Sequence, residues 1–248
     1  MSWGRFFAIV CIGSVVPWTA SPLAAELKVF SDGPLRSALV KIIPNFQAET
    51  NHKVEVVYGT APALKAKLTA GEKADVLISL AEEIEEIAKG NKFVATQPDV
   101  ARIKLGLAVR TGTTVPDIAT LDAFKQTLLR ADTVIHNSLA SGRAFARQLE
   151  RIGIPEQLKS KIVAVESNTQ FVELTKRNGN DVAVGQLTQI IADKTIQLVG
   201  ALPQEAQFET VYSAGVFADA TSPDSAKTFV QFLTSAKATA AFVAVRAK

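Results

Sequence analysis

Six short segments of this chain set small residues beside compact polar ones: Ser31-Asp32-Gly33-Pro34, Gly59-Thr60-Ala61-Pro62, Ser79, Asn137-Ser138-Leu139-Ala140-Ser141-Gly142-Arg143, Ser167-Asn168-Thr169 and Gly185-Gln186. Glycine and alanine let a ligand come close to the backbone, while hydroxyls and amides add hydrogen-bond donors. At a helix start, where N–H groups lack intrahelical acceptors, such a segment holds a small anion. The candidate contacts are Ser31, Asp32, Gly33, Thr60, Ala61, Ser79, Asn137, Ser141, Gly142, Arg143, Asn168 and Gln186. The serines, the threonine and the asparagines equally suit N-caps, where the side chain serves the helix and no ligand.

Charge separates these candidates. Arg143 follows Ser141-Gly142 in the first turn of an expected helix, where its guanidinium would grip a carboxylate with two parallel hydrogen bonds. Arg36 is the weaker cationic choice. Asp32 adds a negative charge that repels a dianion unless it is paired or turned away. His136 follows an expected strand and reads as a hydrogen-bonding loop residue. His52 reads as surface, and two separated histidines without cysteine supply no metal spacing. No Gly-x-Ser-x-Gly elbow is present, so no catalytic residue is assigned and no cofactor is expected. The run Glu82-Glu83-Ile84-Glu85-Glu86 reads as a solvated helix face, or as a patch that docks on basic residues of a partner protein.

Strands alternating with helices must carry these loops. Strands are expected over 27–30, 54–58 and 76–79, with helices after Pro34, after Pro62 and over 82–89. This rhythm implies parallel strands joined by right-handed crossovers. A long apolar strand over 103–109 leads into a second such series. Helices are expected there over 121–129, 141–151 and 169–177, and strands over 133–135, 162–165 and 182–185. A strand over 211–217 returns to the first series, and helices over 225–234 and 236–245 close the chain. The economical reading is two α/β lobes joined by two crossings: residues 26–106 with 206–248, and residues 107–205.

Residues 1–25 read as a secretory signal peptide. Arg5 is the only charge before Glu26, an apolar run follows, and Leu23-Ala24-Ala25 ends the segment. Periplasmic export with cleavage after Ala25 is expected. Cys11, Met1, Trp3 and Trp18 all lie in that segment, so the mature chain would have no disulfide or thiol chemistry. The 27 basic residues against 24 acidic ones leave a net charge of only +3, with no clustered basic stripe of the kind nucleic acid requires. A hydrophobic content of 48% supplies the core.

Four segments resemble the molybdate-type periplasmic solute-binding proteins of ABC transporters: LKVFSDGPLRSAL, VVYGTAPALKAKLTAGEKADVLIS, SGRAFARQLERIGI and FVQFLTSAKATAAFV. The resemblance spans nearly the whole mature chain. It implies an α/β, two-lobed type II periplasmic binding fold, each lobe a mixed sheet flanked by helices, with two crossing strands. It further implies a monomeric carrier and no enzyme, holding a small anion in the interlobe cleft and delivering it to a permease in the inner membrane. Molybdate binders of the family place hydroxyl-bearing residues where this chain has Pro34 and Ala61. They commonly use a tyrosine where this chain has Gly185 or Gln186. The anion is therefore expected to be a molybdate-like oxyanion or a small organic carboxylate. The alternative is an exported, hydrolase-like α/β enzyme acting on a small anionic substrate.

Overall fold

The computed structural model describes residues 24–94 and 97–246. The expected signal peptide lies, but for Ala24 and Ala25, outside the described residues. Strand β1 (Glu26–Asp32) pairs in parallel with β2 (Lys53–Gly59) on one side and β3 (Val76–Leu80) on the other. Helix α1 (Arg36–Thr50) follows a 3-10 turn over Gly33–Leu35, and its buried face of Ala38, Leu39, Ile42 and Phe46 has helical spacing. Asn51 ends it in the left-handed conformation, with φ of 58°. Helix α2 (Ala61–Thr69) starts at Thr60, whose hydroxyl accepts from the Ala63 amide, and α3 (Ala81–Lys89) follows β3.

The next strand, β4 (Asp99–Arg110), serves two sheets. The second series begins with α4 (Leu121–Arg130), β5 (Val134–Asn137), α5 (Ala140–Arg151), a short α6 (Pro155–Leu158) and β6 (Ile162–Val165). It continues with α7 (Gln170–Thr175), β7 (Val182–Gln186), α8 (Leu187–Ala192) and β8 (Ile196–Ala201). Strand β9 (Glu209–Val216) and helices α9 (Pro223–Leu233) and α10 (Ala236–Ala244) complete the described chain. From Asp99 to Lys104, β4 runs antiparallel to β9. From Leu105 onward it runs antiparallel to β7 and β8 instead.

That exchange at Leu105 is where the two sheets meet. The Gln207 side chain fastens it. Its Nε2 donates to the carbonyls of Leu105 and Leu202 at 3.1 and 3.0 Å, and its Oε1 accepts from the amides of Leu105 and Phe208 at 2.8 and 3.0 Å. The Leu105 amide and carbonyl also keep backbone partners in Phe208 and Leu202, so the side chain reinforces the crossing there and supplies a partner to the Phe208 amide and the Leu202 carbonyl. The return path therefore runs over residues 202–208. The expected returning strand is β9, which pairs with β3 and the first part of β4. Helix α8 and strand β8 lie where no element is predicted, because 187–201 shows neither clean alternation nor a cap signal.

Each sheet has its own apolar core. Phe46 of α1 packs edge-on against Phe229 of α9, with ring centroids 4.9 Å apart, under the first sheet. Burying one such ring is worth about 1.5–3 kcal/mol. Phe124 of α4 and Phe145 of α5 lie at the centre of the core beside the second sheet. This packing leaves the carboxyl ends of β1, β2 and β3 facing the start of α5, with the loops of both sheets turned toward one another.

Candidate functional site

A cleft of about 430 Å³ opens between those loop clusters. Its volume lies within the usual range of small-molecule sites, roughly 300–1,000 Å³. Open α/β sheets bind ligands here, outside the carboxyl ends of their strands. Of the twelve residues predicted as contacts, Asp32, Thr60, Ala61, Ser141, Arg143, Asn168 and Gln186 line the cleft. Ser31, Gly33, Ser79, Asn137 and Gly142 do not line it directly.

The wall formed by α5 is rigid because of Asn137. Its Oδ1 accepts from the amides of Leu139 and Gly142 at 3.0 and 3.1 Å, and its Nδ2 donates to the Ser141 hydroxyl at 3.2 Å. Asn137 thus acts as a buried cap at the end of β5. Gly142 is required by close approach: a β-carbon there would sit 1.6 Å from the Asn137 carbonyl oxygen. Within the first turn of α5, the Gly142 amide bonds Asn137 and the Arg143 amide bonds Leu139, which leaves the amides of Ala140 and Ser141 without a helical acceptor. Opposite them, α2 begins with the Ala61 amide and with Pro62, which has no N–H. The Thr60 hydroxyl accepts from the Ala63 amide and keeps its own proton to donate.

Two cations rim the cleft. Arg143 is exposed and donates to the Ser138 carbonyl at 3.0 Å. Lys65 of α2 stands 3.6 Å from Glu86 of α3. Arg36 does not line the cleft; its guanidinium covers the Tyr58 ring at 4.2 Å. His136 points elsewhere, with Nδ1 against the Asn137 carbonyl and the ring on Phe145.

The floor is acidic. Asp32, at the end of β1, is only 4% exposed, and its Oδ1 has no hydrogen-bond partner. The buried Ser79 hydroxyl lies 2.6 Å from Glu83 Oε2 and 3.4 Å from Asp32 Oδ2. One hydroxyl proton cannot serve both oxygens, and the shorter contact claims it. The longer contact, from the Ser79 hydroxyl to Asp32 Oδ2, is left weak and does little to hold a charge on Asp32. Burial, reinforced by the nearby charge of Glu83, pushes the Asp32 carboxyl up to about 8, against a smaller opposing pull from the Ser79 hydroxyl. Burial also raises Glu83, with the Ser79 hydrogen bond and Lys65 working against it.

Beside this chain, Gln186 Nε2 donates to the Tyr212 hydroxyl at 2.7 Å and to Thr210 Oγ1 at 3.2 Å, and the phenol lies 3.0 Å from Gln186 Oε1. Burial and the Asp32 charge hold the Tyr212 phenol well above its ordinary value. A tyrosine therefore reaches Gln186 after all, from β9. Among the described residues, no three His, Cys, Asp or Glu side chains group as a metal ion requires.

Sequence reasoning missed Glu82, Glu83, Glu86, Lys65 and Tyr212 as lining residues. The acidic run is a solvated face only in part: Glu83 is half-buried, and the spacing of Glu82, Glu83 and Glu86 puts them on one side of α3, away from the buried Ile84. That spacing is a signal the sequence carries. Tyr212 carries none, because pairing across the sheet alone brings it to the cleft.

Comparison with known proteins places the chain. The family model described as bacterial extracellular solute-binding protein matches residues 27–244. An aconitate isomerase from Pseudomonas sp is 27% identical over 226 residues, covering 88% of this chain and 86% of that protein. The periplasmic molybdate-binding protein of Azotobacter vinelandii superposes with a TM-score of 0.72 at 19% identity, covering 88% of this chain and 97% of that one. The sulfate-binding protein SubI of Mycobacterium tuberculosis superposes with a TM-score of 0.69 at 18% identity, covering 90% and 86%.

Proposed function

This chain belongs to the bacterial extracellular solute-binding proteins and has the type II periplasmic binding fold, and from that premise we propose that it carries a small organic carboxylate to an ABC permease. It would work in the periplasm, with its two lobes closing on the ligand about the crossings at Leu105 and Gln207. Residues 26–106 with 206–248 form one lobe in this reading, and 107–205 the other. The acidic run of α3 would help dock the closed form on the permease.

The observation that carries the reading is the distribution of donors in the cleft. The amides of Ala61, Ala140 and Ser141, the Thr60 hydroxyl and the rim cations Lys65 and Arg143 stand on the walls, above an acid floor. A tetrahedral oxyanion needs donors on every side. Here neither Pro34 nor Pro62 has an N–H, and Asp32 lies beneath. A flat carboxylate needs donors only along the edge that meets α5 and α2, and Arg143 offers it a planar fork. The cleft volume suits an acid with two or three carboxylates. Thermal shift with molybdate, sulfate and a panel of di- and tricarboxylates tests this. Stabilisation by the organic acids alone is expected, and stabilisation by molybdate or sulfate alone would refute it.

A second reading rests on one specific observation. A relative named for isomerising a tricarboxylate is similar along most of this chain, and Asp32–Ser79–Glu83 links two carboxyl groups through a hydroxyl. Such a chain could move a proton on a bound unsaturated acid. Proton NMR of the purified protein with cis- or trans-aconitate separates the readings: the carrier leaves either isomer unchanged, and an isomerase equilibrates them.

A further inference from the structure

The floor of the cleft offers ligands acceptors and almost no donors. Asp32 is more than nine-tenths buried, lines the cleft and leaves Oδ1 unpartnered. Its Oδ2 lies against Ser79, whose proton goes to Glu83. The neighbouring phenol and amide, Tyr212 and Gln186, are closed on each other and on Thr210. A buried acceptor without a donor is destabilising, and a ligand that supplies the donor recovers that loss.

We propose that Asp32, Ser79 and Glu83 form a selectivity element that requires the bound carboxylate to carry a hydrogen-bond donor, hydroxyl or ammonium, on a carbon adjacent to it. The carboxylate lies along α5 and Arg143, and the donor points to Asp32 Oδ1 and the Glu83 carboxylate. Asp32 holds its proton while such a ligand is bound, so the floor brings one negative charge through Glu83 and not two. The charged and titratable groups facing Asp32 are Glu82, Glu83 and Glu86 of α3, Lys65 of α2, Arg143 of α5 and Tyr212 of β9. Lys65 is drawn toward Glu86 and Arg143 toward the Ser138 carbonyl, so neither cation pairs Asp32. Ionised Asp32 therefore repels the carboxylate without compensation.

This inference rests on the carboxylate-carrier reading, and a matched four-carbon series tests the two separately. Calorimetric titration of the full chain with succinate, L-malate and L-aspartate is read at pH 6.5, 7.5 and 9. L-Malate or L-aspartate is expected to bind about tenfold or more tighter than succinate, the worth of one hydrogen bond to a charged or buried acceptor. Wild-type affinity for that ligand falls at pH 9, toward tenfold per unit above the Asp32 titration. Asp32→Asn keeps an acceptor and no charge, so it retains the preference and loses the pH dependence. Glu83→Gln, at a half-exposed helix position that tolerates the change, narrows the preference. Equal binding of succinate and both donor-bearing acids overturns the selectivity element and leaves the carrier reading standing. Binding of molybdate with none of the three acids overturns both.

Discussion

Asp32→Asn should stabilise the protein in a way that grows with pH. In the unfolded chain Asp32 titrates near its ordinary 3.8, whereas in the folded protein its proton is held to about 8. Between those values the native state binds one more proton than the unfolded state, so stability falls as pH rises. Each unit of pH costs about 1.4 kcal/mol, which makes the loss about 4 kcal/mol between pH 4 and pH 7. Asparagine cannot ionise, and its amide can still meet the Ser79 hydroxyl. The advantage of Asp32→Asn over wild type should therefore widen by about 4 kcal/mol over that span and level off above pH 8. The full 4 is an upper figure, because a displaced Ser79 or an admitted water would lower it. Urea unfolding of both proteins at pH 4, 5.5, 7 and 8.5, extrapolated linearly, measures the difference directly. Parallel curves, with a gap constant to within about 1 kcal/mol, would mean that Asp32 ionises in the folded cleft, and the assignment of its proton would be wrong.

Three other perturbations probe the scaffold and the rim. Arg143→Ala removes an exposed side chain, so stability should change by no more than about 0.5 kcal/mol, while the affinity for a bound carboxylate drops about tenfold or more by calorimetry. Gly142→Ala forces a methyl group onto the Asn137 carbonyl, and urea unfolding should show a loss of about 3 kcal/mol or more. Gln207→Ala leaves backbone groups of Leu105, Leu202 and Phe208 without their side-chain partner, at a cost of about 2–4 kcal/mol. Faster hydrogen exchange at Leu105 than at Leu77 would place that loss at the crossing.

The walls of the cleft were legible in the sequence because their signals are local. A proline or cap residue followed by helical spacing locates the starts of α2 and α5, and the loop segments at those starts do line the site. The same local logic could not separate Asn137, which caps, from Asn168, which faces the cleft. That choice depends on Asn137 being buried against the first turn of α5, where the amides of Leu139 and Gly142 occupy its side-chain oxygen. The floor was misread for the same reason. Glu83 looks solvated along its own helix, and only the opposing β1 and β3 bury it against Ser79.

Strand and helix periodicity, the turn residues and the four family-like segments determined the α/β class, most of the elements and the loops that face a ligand. These depend on neighbours a few residues apart, so a linear chain records them. Tertiary structure alone decided the proton on Asp32, the arrival of Tyr212 from β9 and the crossing at Leu105 held by Gln207. Each arises from groups 26 to 102 positions apart in the chain, brought together by sheet pairing and taken out of water in the same step. Desolvation is a property of the assembled cleft and has no local signature.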